Sequence, residues 1–344
     1  MMNILCRCLA LAAVIVSTLS ALAGSEFTAP ARRWPDAADG FASVEALGQK
    51  GTTGGAGGKI VVVDNLADLE KYAHAPQPYV ILIKGTIVKE PFGKDIKVSS
   101  NKTLLGLGAD ATILHGELHL VNVTNVIIRN LTIRDSWIPD DPHGKLKDFD
   151  AIQMDNSHHI WIDHCLLTHM EDGLIDFRKE SDYLTVSWCI LSHHNKAFGI
   201  GWSDSSGKRH VTVHHTWIHD TNQRNPSLDN GTGHLYNNYL QNISAYGNYA
   251  RGKSQVVVEN SVFEKVNNPL ICGPDAEMVS RGNIIKDCTT TDAAKSKLKG
   301  EAFDPHQFYA YTLDDAARVP ELLKTGAGPQ AEIGVAGDAQ QGKH

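Results

Sequence analysis

The chain has 344 residues, with 39 acidic side chains against 32 basic ones and a formal charge of −7. That balance argues against nucleic acid as a partner and offers a polyanion no general attraction, so an acidic ligand must be held by local cations. The length admits two globular domains, but no Ser/Pro-rich linker divides it, and a stacked repeat grows without that limit.

Residues 1–23 combine Arg7, an apolar run from Leu9 to Val16 and the small-residue pattern Ala21-Leu22-Ala23. This predicts a secretory signal peptide cleaved near Gly24, hence a secreted, extracellular protein. The run is too short to cross a membrane and no other stretch approaches the ~20 residues required, so no membrane attachment is expected. The Gly-rich stretch 51–63 invites a phosphate-loop reading, which fails because Thr53 stands where glycine is needed and Ile60 where Ser or Thr is needed. It reads better as a loop entering the first strand. Residues 65–73 have helical spacing with Asn65 as N-cap, predicting a short helix that closes the N-terminal end of the core. Stretches 80–88, 102–108 and 126–135 read as the first coils, and the Pro/Asp/Gly-rich segment 135–148 as an inserted loop.

From residue 156 onward one pattern recurs: a polar turn, a few β-branched residues, a polar corner, then more apolar residues. Aligning the corners gives His164, Trp188, His215, Asn238, Asn260 and Gly282, at intervals of 24, 27, 23, 22 and 22. Such a period marks a solenoid, and short strands without helical periodicity make it a parallel β-helix. One domain is expected over 24–328, with a C-terminal helix laid on the coils and a disordered tail over 329–344. Cys165 and Cys189 end equivalent strands one coil apart, so the expected disulfides are Cys165–Cys189 and Cys272–Cys288; the alternative is that the first two are small core residues.

A second register precedes those strands. Asp150, Asp172, Lys196 and Arg224 lead successive short strands at intervals of 22, 24 and 28. Stacked coils would set them one above another at roughly 4.8 Å. Asp148 shares a face with Asp150, and Asp176 with Asp172, because side chains alternate along a strand. Four carboxylates on one surface form an oxygen-rich site suited to Ca²⁺, and Lys196 and Arg224 beyond them suit an elongated polyanion such as a polyuronide. The many histidines, including His158, His159, His193, His194, His214, His215 and His234, fall at corners of different coils and read as polar stacking more simply than as a metal cluster.

Residues 160–165 (IWIDHC), Lys196 within 192–204, QRNP at 223–226 followed by HLYNNY at 234–239, the opening 51–69 and the segment 309–328 together resemble the polysaccharide lyase family that contains the pectate lyases. The resemblance spans about residues 40–328. It implies a right-handed parallel β-helix, Ca²⁺-dependent β-elimination of polygalacturonate and alkaline activity; separately, the chain is expected to act as a monomer. Carried over, Asp148 and Asp150 match the first pair of calcium-site aspartates, Asp172 a position often held by an acid and Asp176 the last primary ligand, so these four are the expected metal ligands. Lys196 matches the lysine that binds a substrate carboxylate, and Arg224 the arginine proposed as the catalytic base. The family's second arginine, five residues after the first, is replaced here by Asp229, which makes Arg251 and Lys253 the candidate cations for substrate at that end. Rival readings are a polygalacturonase using Asp150 with Asp172 or Asp176, a pectin lyase, or a glycan-binding solenoid without catalysis. A base titrating near neutral pH would point to His194.

Overall fold

The computed structural model describes residues 34–201, 209–291, 298 and 300–334. The expected signal peptide lies outside these. Ala37–His344 forms one compact unit, to which everything below refers.

Parallel strands wind into a β-helix with three faces. The first is a ten-stranded sheet running from Lys59–Val63 to Glu277–Arg281. The other two belong to one sixteen-stranded sheet that bends, because strand Ile190–Ile200 passes from the second face into the third. Registered pairing stacks like on like. Ile128, Ile162, Val186, Val213, Leu235 and Val258 occupy one row of the first face and point into the core. No single coil encloses an apolar interior, so each buries its inward residues against its neighbours.

The bends are made by residues in the left-handed region. Asn130, His164, Trp188, His215, Asn237 and Asn260 all have φ between +43° and +61°. Asparagine tolerates this conformation best, and stacked rings stabilise the rest: Trp188 lies 5.8 Å from His164 and 4.4 Å from His215 in near-parallel planes. The ladder residue is therefore Asn237 and not Asn238. Asn238 turns inward, its Oδ1 accepting from the Thr216 amide at 3.0 Å and its Nδ2 donating to the Val213 carbonyl at 2.8 Å. Asp163 and His164 join the buried structure too, with His164 Nδ1 2.6 Å from Asp163 Oδ2.

Helix Leu66–His74 closes the N-terminal end as expected, with the Asn65 side chain accepting from the Asp68 amide and Leu69 and Ala73 in the core. Helix Val319–Gly326 packs Val319 and Leu323 against Tyr239, Val262 and the partly buried Trp217. The outer side of the first face is covered as well. The Phe41 and Ala42 amides donate to Thr212 and Thr185, and the Tyr309 hydroxyl bonds Thr212 at 2.7 Å and His234 Nδ1 at 2.8 Å.

Two expectations are corrected. The chain does not loosen at residue 329, because the Gln330 amide donates to Asn130 Oδ1 at 2.7 Å and Ile333 is buried; residues 335–344 lie outside the described set. Nor do the expected disulfides form: Cys165, Cys189, Cys272 and Cys288, the four cysteines among the described residues, are thiols. Cys165 and Cys189 sit side by side in parallel register, so their side chains extend the same way, and each Sγ turns to a backbone carbonyl. Cys272 ends a strand of the third face and Cys288 follows one of the second, so that pair is separated by a bend. The buried pair are small core residues.

Candidate active site

The third face, left open by both covering segments, carries the charged residues. Its strands Glu117–Val121, Ile152–Asp155, Gly173–Arg178 and Ile190–Ile200 put His119, Gln153, Asp176 and Gly199 in one row. Six of the expected residues come together at its start: Asp148, Asp150, Asp172, Asp176, Lys196 and Arg224. Their stacking is not the single column that the intervals suggest. Lys196 pairs with Gly173, so Asp172 sits one residue out of line.

That offset makes Gly173 part of the site. Its amide donates to Asp150 Oδ1 at 2.6 Å. A Cβ there would stand 2.6 Å from Asp150 Oδ1 and 3.3 Å from Asp176 Oδ1, so only glycine leaves the space between these carboxylates open. Gln153 bridges the other pair, donating to Asp148 Oδ2 at 2.9 Å and Asp150 Oδ2 at 3.2 Å. Arg178, held on both oxygens of Asp155, donates to Asp148 at 3.0 Å.

Two carboxylates tie the inserted loop to the site, Asp141 from the loop and Glu171 from the coil beneath it. Asp141 Oδ2 accepts from the Lys145 and Leu146 amides, and Glu171 from those of Leu146, Lys147 and Phe149. Gly144, at φ +59°, packs so closely that a Cβ would meet the Glu171 carbonyl at 2.2 Å. Lys196 Nζ, buried, bonds the Gly144 carbonyl at 3.0 Å and the carboxylate of Asp172. Arg224 has φ +60°, and its Nη1 lies 3.7 Å from Asp176 Oδ1.

The electrostatics are those of carboxylates crowded out of water. Burial, then Asp176 and Glu117, drive the pKa of Asp150 well up. Burial takes Asp176 up to about 7 against the pull of Arg224, and raises Asp172. Asp148 is more exposed; burial works against its charge, but Gln153 and Arg178 hold it below the usual range. Glu117 was not foreseen from sequence. It is buried, accepts from the Asp150 amide at 3.2 Å, and is pushed by burial and by Asp95 up to about 9. Its only sequence signal was a lone acid in an apolar strand, which becomes informative once that strand is known to stack on Asp150. Gln153 and Gly173 carried no signal at all.

The donor set fits a divalent calcium-like ion. It is all oxygen, and Asp176 Oδ1 and Glu117 Oε1 are buried without a hydrogen-bond partner. Arg251 and Lys253 lie outside the group, one coil on and at the far end of the strand. Arg251 is the register partner of Asp229 and stands over the Tyr249 ring at 5.7 Å. Asp229 itself is buried, with Oδ1 against the Gly252 turn, so its charge does not face the open surface. His194 is no free base: Nε2 bonds the Asp172 carbonyl at 2.9 Å, and burial lowers its pKa to about 4.

A sequence model of the family described as pectate lyase matches residues 9–331. The chain belongs to the pectate lyase family. A pectate trisaccharide-lyase of Thermotoga maritima is 36% identical over 324 residues, covering 84% of this chain and 87% of the relative. Pectate lyase A of Emericella nidulans is 33% identical over 305 residues, covering 85% and 86%. Among solved structures, a pectate lyase from a Bacillus species in complex with trigalacturonate superimposes with a TM-score of 0.71 at 23% identity, covering 86% of this chain and 99% of that one, which shows the shared β-helix. The chain is thus a polysaccharide lyase, and its clustered acids and cations lie on the third face of its solenoid.

Proposed function

We propose that this chain is a secreted, monomeric, Ca²⁺-dependent lyase that cleaves α-1,4-polygalacturonate by β-elimination, leaving 4,5-unsaturated ends. The observation that carries the reading is the juxtaposition of four aspartates with Lys196 and Arg224 on the third face. Export follows from the leader-like residues 1–23, and an exported product beginning near Gly24 would check it.

Asp148, Asp150, Asp172 and Asp176 would hold the ion. When bound, Ca²⁺ supplies Lewis-acid stabilisation of a uronate carboxylate. The protein's own residues do the rest. Lys196, which in the free site neutralises Asp172, exchanges that partner for the substrate carboxylate and stabilises the negative charge that grows on it. Arg224 takes the C5 proton. The electrons of the C5–H bond become the C4–C5 double bond, the C4–O4 bond breaks, and O4 leaves with its electron pair and takes up a proton. Gln153 and Arg178 keep Asp148 charged and oriented. A guanidinium holds its proton strongly, so this role requires activity that climbs with pH into the alkaline range. Arg251 and Lys253 are the cations on hand for a further uronate beyond Asp229.

Ultraviolet absorbance during incubation with polygalacturonate at alkaline pH tests the reading. It requires a rising signal from the unsaturated uronate that a chelator abolishes. New reducing ends without that signal would mean hydrolysis, and neither product would mean a binding solenoid.

A further inference from the structure

The corner between the second and third faces carries its own ladder of left-handed residues, and it gathers ligand chemistry that the proposed elimination does not use. His169, His193, Asp220 and Asn242 all have φ between +48° and +54°. His193 comes from strand Ile190–Ile200, and His219 and Asp220 from the neighbouring strand Trp217–Gln223, where Ser192 pairs with His219. His219 Nδ1 lies 2.7 Å and His193 Nε2 3.8 Å from Asp220 Oδ2, and the three ligand atoms all fall within 4.8 Å of one another. A tetrahedral ion with bonds of about 2.0–2.1 Å keeps its ligand atoms about 3.3 Å apart, so small side-chain rotations complete the set.

Each ligand is separately held. Asn242 Nδ2 donates to Asp220 Oδ1 at 3.1 Å, leaving Oδ2 for the imidazoles. The Trp217 ring packs 4.2 Å from His219, and His169 stacks on His193 at 5.6 Å with planes 12° apart. Outer partners of this kind fix the orientation of metal ligands. His193 and Asp220 are 53% and 41% exposed and line a cleft of about 430 Å³ that also includes Trp137 and Glu171, which provides entry and open coordination positions.

We propose that His193, His219 and Asp220 form a second metal site, selective for a zinc-class transition ion. Two imidazoles and one carboxylate suit Zn²⁺, whereas the all-oxygen cluster of the third face suits Ca²⁺. The ion would tie two consecutive coils at their corner, and binding to the folded state alone would stabilise the protein by mass action.

Isothermal titration with Zn²⁺ on tag-free protein, in excess Ca²⁺, tests this, with Co²⁺ absorption in the visible as a reporter of nitrogen ligation. One equivalent should bind, Ca²⁺ should not displace it, and Asp176→Asn should retain it, so a failure of the lyase reading leaves this result untouched. His193→Ala should weaken binding by more than about tenfold, since even outer-sphere changes cost 10–100-fold. Asp220→Asn, which keeps the Asn242 contact, should weaken it likewise. Binding that is absent, displaced by Ca²⁺, or equal in wild type and both variants would overturn the proposal.

Discussion

The first and third faces are built from the same coils and treat polar groups in opposite ways. Outside the first face, Thr185, Thr212 and His234 are buried and bonded to two covering segments, and His214 and His215 reach Asp39 and Asp314. On the third face Asp150, Asp176 and Glu117 are buried beside one another, and burial together with neighbouring carboxylates raises the pKa of each despite the Gln153, Gly173 and Arg224 contacts. A buried polar group is tolerable when bonded and costly when not. The covered face therefore uses its polar residues to dock chain segments, while the open face stores unfavourable charge that a divalent ion can relieve.

The comparison breaks first at Arg224. Arg224→Ala should lower kcat for polygalacturonate cleavage by about 10²–10⁴-fold, the usual worth of a general base, while leaving the melting temperature nearly unchanged. A residual rate within a few-fold of wild type would remove Arg224 from the proton transfer.

The stored charge should show in pH. The folded protein keeps the protons of Asp176 and Glu117 up to about 7 and about 9, whereas the unfolded chain loses them near 4. The folded state then binds more protons than the unfolded one, so this contribution to stability is lost as pH rises through that window. On the proposed reading, bound Ca²⁺ would take the place of these protons. The gap in melting temperature between Ca²⁺-loaded and chelated protein should widen steadily from pH 4 to 9; a gap independent of pH would show that the carboxylates are not strained.

On the covered face the sign reverses. His234→Ala removes a buried ring bonded to Glu259 at 3.0 Å and to Tyr309, and should destabilise the fold by about 1–3 kcal/mol without changing kcat in the folded fraction. Calorimetry and single-temperature kinetics separate the two. The smallest change is Gly173→Ala, whose Cβ meets Asp150 Oδ1; Ca²⁺ affinity by titration should fall by about tenfold, equivalent to about 1.4 kcal/mol.

Much of the fold was legible because a stacked repeat writes its period into the chain. The corner residues His164, Trp188, His215 and Asn260 stand where the spacing set them, and the slip from Asn237 to Asn238 arose because two adjacent asparagines satisfy the same pattern. The charged residues were legible for the same reason, although Gly173 took the place in register that spacing assigned to Asp172. The thiols were misread because even parity and one-coil separation say nothing of side-chain direction. His193 read as polar stacking from sequence and His219 and Asp220 were not singled out, because nothing in their order shows that three atoms converge.

The sequence by itself determined the parallel β-helix, the capping helix, the family and the six residues now grouped on the third face. These follow from local periodicity and from residue types repeated one coil apart. Tertiary structure alone decided which face stays uncovered, that Glu117, Gln153 and Gly173 shape the carboxylate cluster, that Asp229 turns away from it, and that the cysteines remain thiols. Each of those depends on the residue-level register of the coils and on which distant segment covers which sheet, and neither quantity is encoded in any short stretch of chain.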